Sequence, residues 1–205
     1  MKKLILGTLL FAAFAISSSA QKVVETKGKV LDLPATGTFN VEYDYSRLRV
    51  GKFKTEELYV ADKVAKQNEK EAGKGDQWKL GWESAREKRY HPKFEALFNK
   101  ELAERGISIQ QGATASITLI VHVVFIEPGY NIGISKRPAF ASFEFEFVET
   151  TNRSKQIAML TLSNVIGEQM MGMDFDTESR VAESFAKGGK MLAGYIHKKF
   201  KKAKK

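Results

Sequence analysis

The order of hydrophobic patterns predicts an α+β fold: a two-layer sandwich with a mainly antiparallel sheet and helices packed on one face. Three observations carry this. Apolar and polar residues alternate at Phe39, Val41, Tyr43 and Tyr45, and again at Phe143, Phe145 and Phe147, which is the period of a half-buried strand. Between these stretches, apolar residues such as Phe94, Leu97, Phe98 and Leu102 recur at spacings of three and four, the period of one helix face. The helical pieces are also grouped together instead of alternating one for one with strands, which disfavours a doubly wound parallel sheet.

Taken in order, a short strand is expected at residues 29–33, closed by Pro34 and a turn at Gly37. In the strand that follows, the apolar parity passes from odd positions through Tyr45 to even ones at Leu48 and Val50. One extra residue near Ser46-Arg47 would produce that flip, because a bulge re-aims every side chain after it. Thr55 before Glu56 and Glu57 predicts a helix start, the hydroxyl capping free N–H groups and the acids meeting the positive end of the dipole. This helix is expected to end near Ala72, before Gly73-Lys74-Gly75. Trp78, Trp82 and Ala85 mark a second helical piece, interrupted or kinked at His91-Pro92 because proline lacks the N–H a helix needs. Pro92 equally suits the first turn of a renewed helix, which Arg105 and Gly106 would close.

Strands are expected next. Residues 115–127 are apolar on both faces and so central in their sheet, whereas residues 140–149 alternate, with Phe143, Phe145 and Phe147 inward and Glu144 and Glu146 outward. Residues 156–165 follow the turn Thr151-Asn152-Arg153-Ser154, which predicts an antiparallel hairpin. Asp174 and Asp176 precede a final helix that places Val181, Phe185, Leu192, Ile196 and Phe200 on one face, with Glu178 in its first turn and lysines in its last, as the dipole favours.

Residues 1–20 read as a secretory signal peptide, with Lys2 and Lys3 ahead of an apolar run and small residues at Ser18 and Ala20. That run is too short to span a bilayer, which takes about 20 apolar residues. Cleavage before Gln21 would leave one domain at residues 21–197 and a basic tail at residues 198–205, in the periplasm or outside the cell. The chain has 205 residues and no cysteine, which excludes disulfide scaffolds, thiolate metal sites, cysteine nucleophiles and an anchor on a lipidated cysteine. Of the formal charge of +9, two units belong to Lys2 and Lys3 and six to the tail, so residues 21–197 carry only +1.

No nucleophile elbow, phosphate-binding loop, dinucleotide fingerprint or zinc-protease motif is present. His91, His122 and His197 fall in separate elements, and His122 stands out because it interrupts a core strand. Glu144 and Glu146 sit two apart on one strand face, unlike carboxylates that flank a bond from opposite sides. Asp174, Asp176 and Glu178 alternate like part of a calcium loop that lacks its glycine and its bidentate glutamate, so helix capping accounts for them better. Trp78 and Trp82 are one helical turn apart and read as packing. No cofactor and no metal is expected.

Two segments remain as candidates for binding. Glu127-Pro128-Gly129-Tyr130-Asn131-Ile132-Gly133, continuing through Lys136-Arg137-Pro138-Ala139, would hold polar and aromatic side chains on a stiff turn, and loops on rigid scaffolds carry binding. The alternative is a structural crossover loop. Tyr130, Asn131 and Arg137, with Arg180 early in the last helix, are therefore the candidate partner-binding residues, although Arg180 could pair internally with Asp44 or Asp174. Lys198, Lys199, Lys201, Lys202, Lys204 and Lys205 would attract an anionic membrane surface, or simply form a solvated helix end. Nucleic acid is not expected, because no base-stacking aromatics interleave with these lysines.

Asp44-Tyr45-Ser46, the Glu127 to Ala139 segments and Arg180-Val181-Ala182-Glu183-Ser184-Phe185-Ala186-Lys187-Gly188-Gly189-Lys190 together resemble a family of uncharacterised exported envelope proteins of Bacteroides-type bacteria. The order of elements is more distantly similar to small α/β-sandwich accessory lipoproteins of envelope transport or secretion systems, from which this chain departs by having no cysteine to lipidate. The resemblance implies an accessory role in the envelope and supplies no catalytic residue. The expected function is thus a non-enzymatic periplasmic or secreted protein that binds a protein partner or envelope component. An envelope hydrolase with an unlocated carboxylate or metal site, and a protein held to anionic membrane by its lysines, are the alternatives.

Overall fold

The computed structural model describes residues 21–131, 135–167 and 177–204; residues 1–20, Ile132, Gly133, Asp174, Asp176 and Lys205 lie outside them. The strands are β1 (Val24–Gly28), β2 (Gly37–Asp44), β3 (Arg49–Val50), β4 (Ile107–Gln111), β5 (Ile117–Glu127), β6 (Tyr130–Asn131), β7 (Lys136–Arg137), β8 (Phe140–Glu149) and β9 (Asn152–Ile166). Among the described residues, seven of them form one sheet in the order β1-β9-β8-β5-β2-β4, with β3 also beside β5, and β6 pairs with β7 in a separate small hairpin. The helices are α1 (Glu56–Lys70), α2 (Lys74–Ala85), α3 (His91–Leu102) and α4 (Thr177–Ala203).

The α+β class holds, with a sheet that is mixed. β1, β9, β8 and β5 are antiparallel neighbours, whereas β2 and β3 run parallel to β5, and β4 runs parallel to β2. Parallel neighbours need a long crossover, and the chain from α1 to α3 supplies it between β2 and β4. β4 pairs with the first part of β2 and β5 with the last part on its other side, so residues 112–116 carry the chain across β2. Asn40 secures that crossing: its Oδ1 accepts the Gly112 N–H at 3.0 Å and its Nδ2 donates to Thr118 Oγ1 at 3.3 Å.

Three local expectations change. The first strand lies at Val24–Gly28, and Val30–Asp32 is a 3-10 turn. Gly28 ends the strand at φ +64°, packed so closely on the Ile157 carbonyl that a Cβ would overlap it, and Glu25 Oε1 then accepts the Val30 N–H at 2.7 Å. The parity flip after Tyr45 is a turn and not a bulge: Asp44 Oδ1 accepts the Ser46 N–H at 2.9 Å, and Leu48 N–H reaches the Tyr45 carbonyl at 3.0 Å. The bulge sits across from it, in β5 between Val123 and Phe125. Strand β4 is additional, and Asn99 on α3 completes it by donating to the Ile109 carbonyl (3.0 Å) and accepting its N–H (2.7 Å).

Thr55 caps α1, which ends at Lys70, slightly before Ala72. The kink expected at His91-Pro92 is a π turn over Arg86–Tyr90, in which His91 N–H bonds to the Arg86 carbonyl five residues back. The helical path continues through it into α3, with Pro92 in the first turn; the wider turn absorbs the register change that the missing proline N–H would otherwise force.

The core lies between the helices and one face of the sheet. Leu119, Val121, Phe143, Phe145, Phe147, Leu160 and Leu162 are buried there, with Phe94 at 5.9 Å from Phe145 and Phe185 at 5.0 Å from Phe143, ring centre to ring centre. Gly188 and Gly189 set how near α4 can come, because a Cβ on Gly189 would overlap the Phe94 carbonyl and one on Gly188 would press on the Phe143 ring. Trp78 and Trp82 stack on each other at 5.8 Å and close around Tyr59 of α1, so they are packing residues.

Candidate functional site

The connection between β5 and β8 is a short β ladder. Gly129 takes φ +65°, and a Cβ there would overlap the Arg137 carbonyl and the Ala139 nitrogen, so only glycine permits this reversal. Beyond it, Tyr130 pairs with Arg137 and Asn131 with Lys136. Glu127 supports the base: its carboxylate accepts the Gly129 N–H at 3.2 Å and faces Arg137 Nη1 at 3.4 Å. Tyr130 is 42% exposed, its hydroxyl 3.3 Å from Ser135 Oγ, and the Arg137 side chain is 60% exposed. An aromatic ring and a guanidinium thus stand opposite one another in solvent on a pinned hairpin.

Three of the four expected recognition residues, Tyr130, Asn131 and Arg137, share this hairpin. Arg180 belongs to the first turn of α4, where its Nη2 donates to Thr177 Oγ1 at 3.1 Å. Burial pushes the Tyr59 phenol of α1 up, and the Glu178 and Glu127 carboxylates push it further.

A second cluster occupies the sheet face opposite the aromatic core layer, which among the described residues carries no helix. His122 of β5 sits between two carboxylates, with Asp44 Oδ2 2.7 Å from Nδ1 and Glu146 Oε2 3.1 Å from Nε2. Burial alone would raise the Asp44 pKa, but the Ser46 N–H and the His122 ring outweigh it and hold the carboxyl at about 2. Around the cluster, Arg47 pairs with Glu144 at 2.8 Å and Arg153 grips both oxygens of Glu42 at 2.8 and 2.7 Å. Chemically this is a ladder of paired charges. Asp44 and Glu146 stand at opposite edges of one imidazole, so both ring nitrogens are engaged and neither carboxylate turns with the other toward a shared reacting atom. Asp44 is occupied by His122 and Ser46, and Asp174, the other partner considered for Arg180, is not described. The sequence singles out His122 and Glu146 but carries no signal that pairs them with Asp44, 78 positions away from His122.

A third network lies at the π turn. The Tyr43 ring stacks flat on His91 at 3.6 Å, Tyr45 Oη is 3.0 Å from His91 Nε2, and the Arg86 guanidinium lies over the Tyr45 ring at 3.9 Å. Trp82 Nε1 donates to Glu56 Oε1 at 2.7 Å and Arg86 pairs with the same carboxylate. Burial holds His91 below the ordinary histidine value against the pull of Glu87, and burial raises Glu95, which accepts from Tyr43 Oη at 3.2 Å. These groups pack on one another, with His91 Nδ1 3.2 Å from the exposed Glu87 carboxylate, and they brace the kinked helix on β2.

The basic segment is the end of α4, which stays helical to Ala203 with Phe200 buried and Arg105 over its ring at 5.5 Å. Lys198, Lys201, Lys202 and Lys204 are exposed. Lys199 differs: it donates to Glu25 Oε2 at 2.9 Å and lies 5.1 Å over the Tyr195 ring, so it ties the helix to β1.

Among the described residues no group of three or more histidine, aspartate or glutamate side chains is placed to hold a metal ion, and no helix is long and apolar enough to cross a membrane. No family model and no curated protein matches the chain. Among solved structures it is similar to the PelC dodecamer from Paraburkholderia phytofirmans at 14% identity and a TM-score of 0.41, over 84% of this chain and 97% of that one. A point variant of that PelC dodecamer, in another crystal form, matches at 16% identity and 0.39, over 85% and 95%.

Proposed function

We propose that this chain is an exported protein of the bacterial envelope that acts by binding a protein partner, without catalysing a reaction of its own. The observation that carries this reading is the Tyr130 and Arg137 pair, exposed at paired positions of a hairpin whose base Gly129 and Glu127 shape. Tyrosine and arginine are, with tryptophan, enriched at the energetic centre of protein interfaces. Export rests on the leader pattern of residues 1–20.

The test is crosslinking in the native envelope with the Tyr130→Ala, Arg137→Ala double variant beside the unaltered chain. Both side chains are exposed, so the melting temperature is expected to stay nearly unchanged while the crosslinked partner disappears. Full retention of that partner by the double variant overturns the proposal.

A further inference from the structure

We propose that the outward face of α4 is a docking surface for an anionic phospholipid bilayer. The helix is sharply two-sided. Val181, Phe185, Leu192, Ile196 and Phe200 are buried on one side. At 3.6 residues per turn, Lys187, Lys190, Met191, Gly194, Lys198, Lys201 and Lys202 fall within a sector of about 120° centred opposite that buried stripe. From Lys187 to Lys202 the lysines extend along about 22 Å of helix. The surface therefore begins well before the basic segment at the chain end, and Lys22, which lines the same cleft as Lys198 and Lys202, adds to it from the N-terminal side.

Among the described residues, Lys22, Lys190, Lys198, Lys201 and Lys202 make no ion pair or side-chain hydrogen bond, and Lys187 only donates to the Ile166 carbonyl at 3.1 Å. Two acids approach the stripe. Glu183 is engaged by Lys93, and Glu101 of α3 lies beside Gly194. Two shallow clefts of about 590 and 470 Å³ share Met191 and Gly194, where the missing side chain of Gly194 leaves room for lysine stems to lie flat. Lys199 takes no part, because it is bound to Glu25.

The spread of the charges selects the ligand. A single phosphate would need lysines that converge on it, whereas these are strung along a rigid helix and can be met together only by an extended array of anions. A bilayer of acidic lipids presents such an array in a plane, and basic residues near its surface add up in attraction. Since the apolar side of α4 is committed to the core, the helix would lie on the headgroups and leave them when salt screens the charges.

The experiment is cosedimentation of the purified protein with vesicles of phosphatidylglycerol and phosphatidylcholine, against phosphatidylcholine alone. Binding to the acidic vesicles only, released by added salt, is expected. The triple variant Lys190→Glu, Lys198→Glu, Lys202→Glu should bind roughly tenfold less or weaker still with an unchanged circular dichroism spectrum, while Lys199→Gln should keep its binding. Tyr130→Ala with Arg137→Ala should bind vesicles normally, which separates this surface from the hairpin. Equal binding to neutral vesicles, binding that salt does not release, undiminished binding by the folded triple variant, or capture of soluble polyphosphate without vesicle binding would each overturn the proposal.

Discussion

The two faces of the central sheet are made by the same strands and behave as different materials. Toward the helices, Phe39, Val121, Phe143, Phe145, Phe147 and Leu160 are excluded from water. One residue away along each strand, Glu42, Asp44, His122, Glu144 and Glu146 face outward and meet Arg47, Arg153 and one another at hydrogen-bond distance. The first face stabilises through area removed from water. The second contributes little to that term, because its charges remain partly hydrated and screened. The fold therefore rests mainly on the first face, while the charged pairs of the second contribute less.

Substitutions on the two faces should differ by several-fold, and that contrast can be broken or sharpened. Phe145→Ala, at the centre of the aromatic layer, is expected to lose about 3–5 kcal/mol through lost burial and the cavity left behind, read from urea unfolding. A loss under about 1 kcal/mol would mean that the layer is loosely packed. Asp44→Asn should cost about 1 kcal/mol at neutral pH, since the carboxylate is partly exposed. Its folded pKa of about 2 lies below the ordinary 3.8, so its stabilisation is complete well above 3.8, declines as pH falls below that value and vanishes below about 2. The unfolding curves of the variant and the unaltered chain should therefore approach each other on acidification, and a gap that widens instead would reverse the assignment. Arg153→Ala, at an exposed pair, should change stability by no more than about 0.5 kcal/mol, with even that difference removed by salt. A cost approaching that of Phe145→Ala would mean that this face is not water-exposed.

The same contrast shows which features local sequence encodes. Alternation at Phe143 to Phe147 identifies a strand and its two faces without any partner, because side-chain direction follows from the backbone period. Thr55, Pro92 and Gly106 mark a helix cap, a kink and a helix end for equally local reasons. Strand β4 escapes such a reading, since its five residues are too few for a periodic signal and its edge is completed by Asn99 on a helix. The supposed bulge at Ser46 fails similarly: a parity change records that the chain re-aims, and both a bulge and a turn do that. The hairpin residues Tyr130 and Arg137 could be singled out from composition, but their pairing across it depends on the register that Gly129 allows.

By itself, then, the sequence determined the fold class, the inward and outward sets of β2 and β8, the cap of α1 and the near-neutral body with its basic end. These follow from interactions within a few residues, where periodicity and capping chemistry operate. Only the tertiary structure decided that β2 and β4 run parallel, that Asp44 and Glu146 clasp His122, and that Lys199 serves Glu25 while its lysine neighbours face outward. Each of those depends on which distant segments meet, and that is set by packing and chain closure over the whole domain.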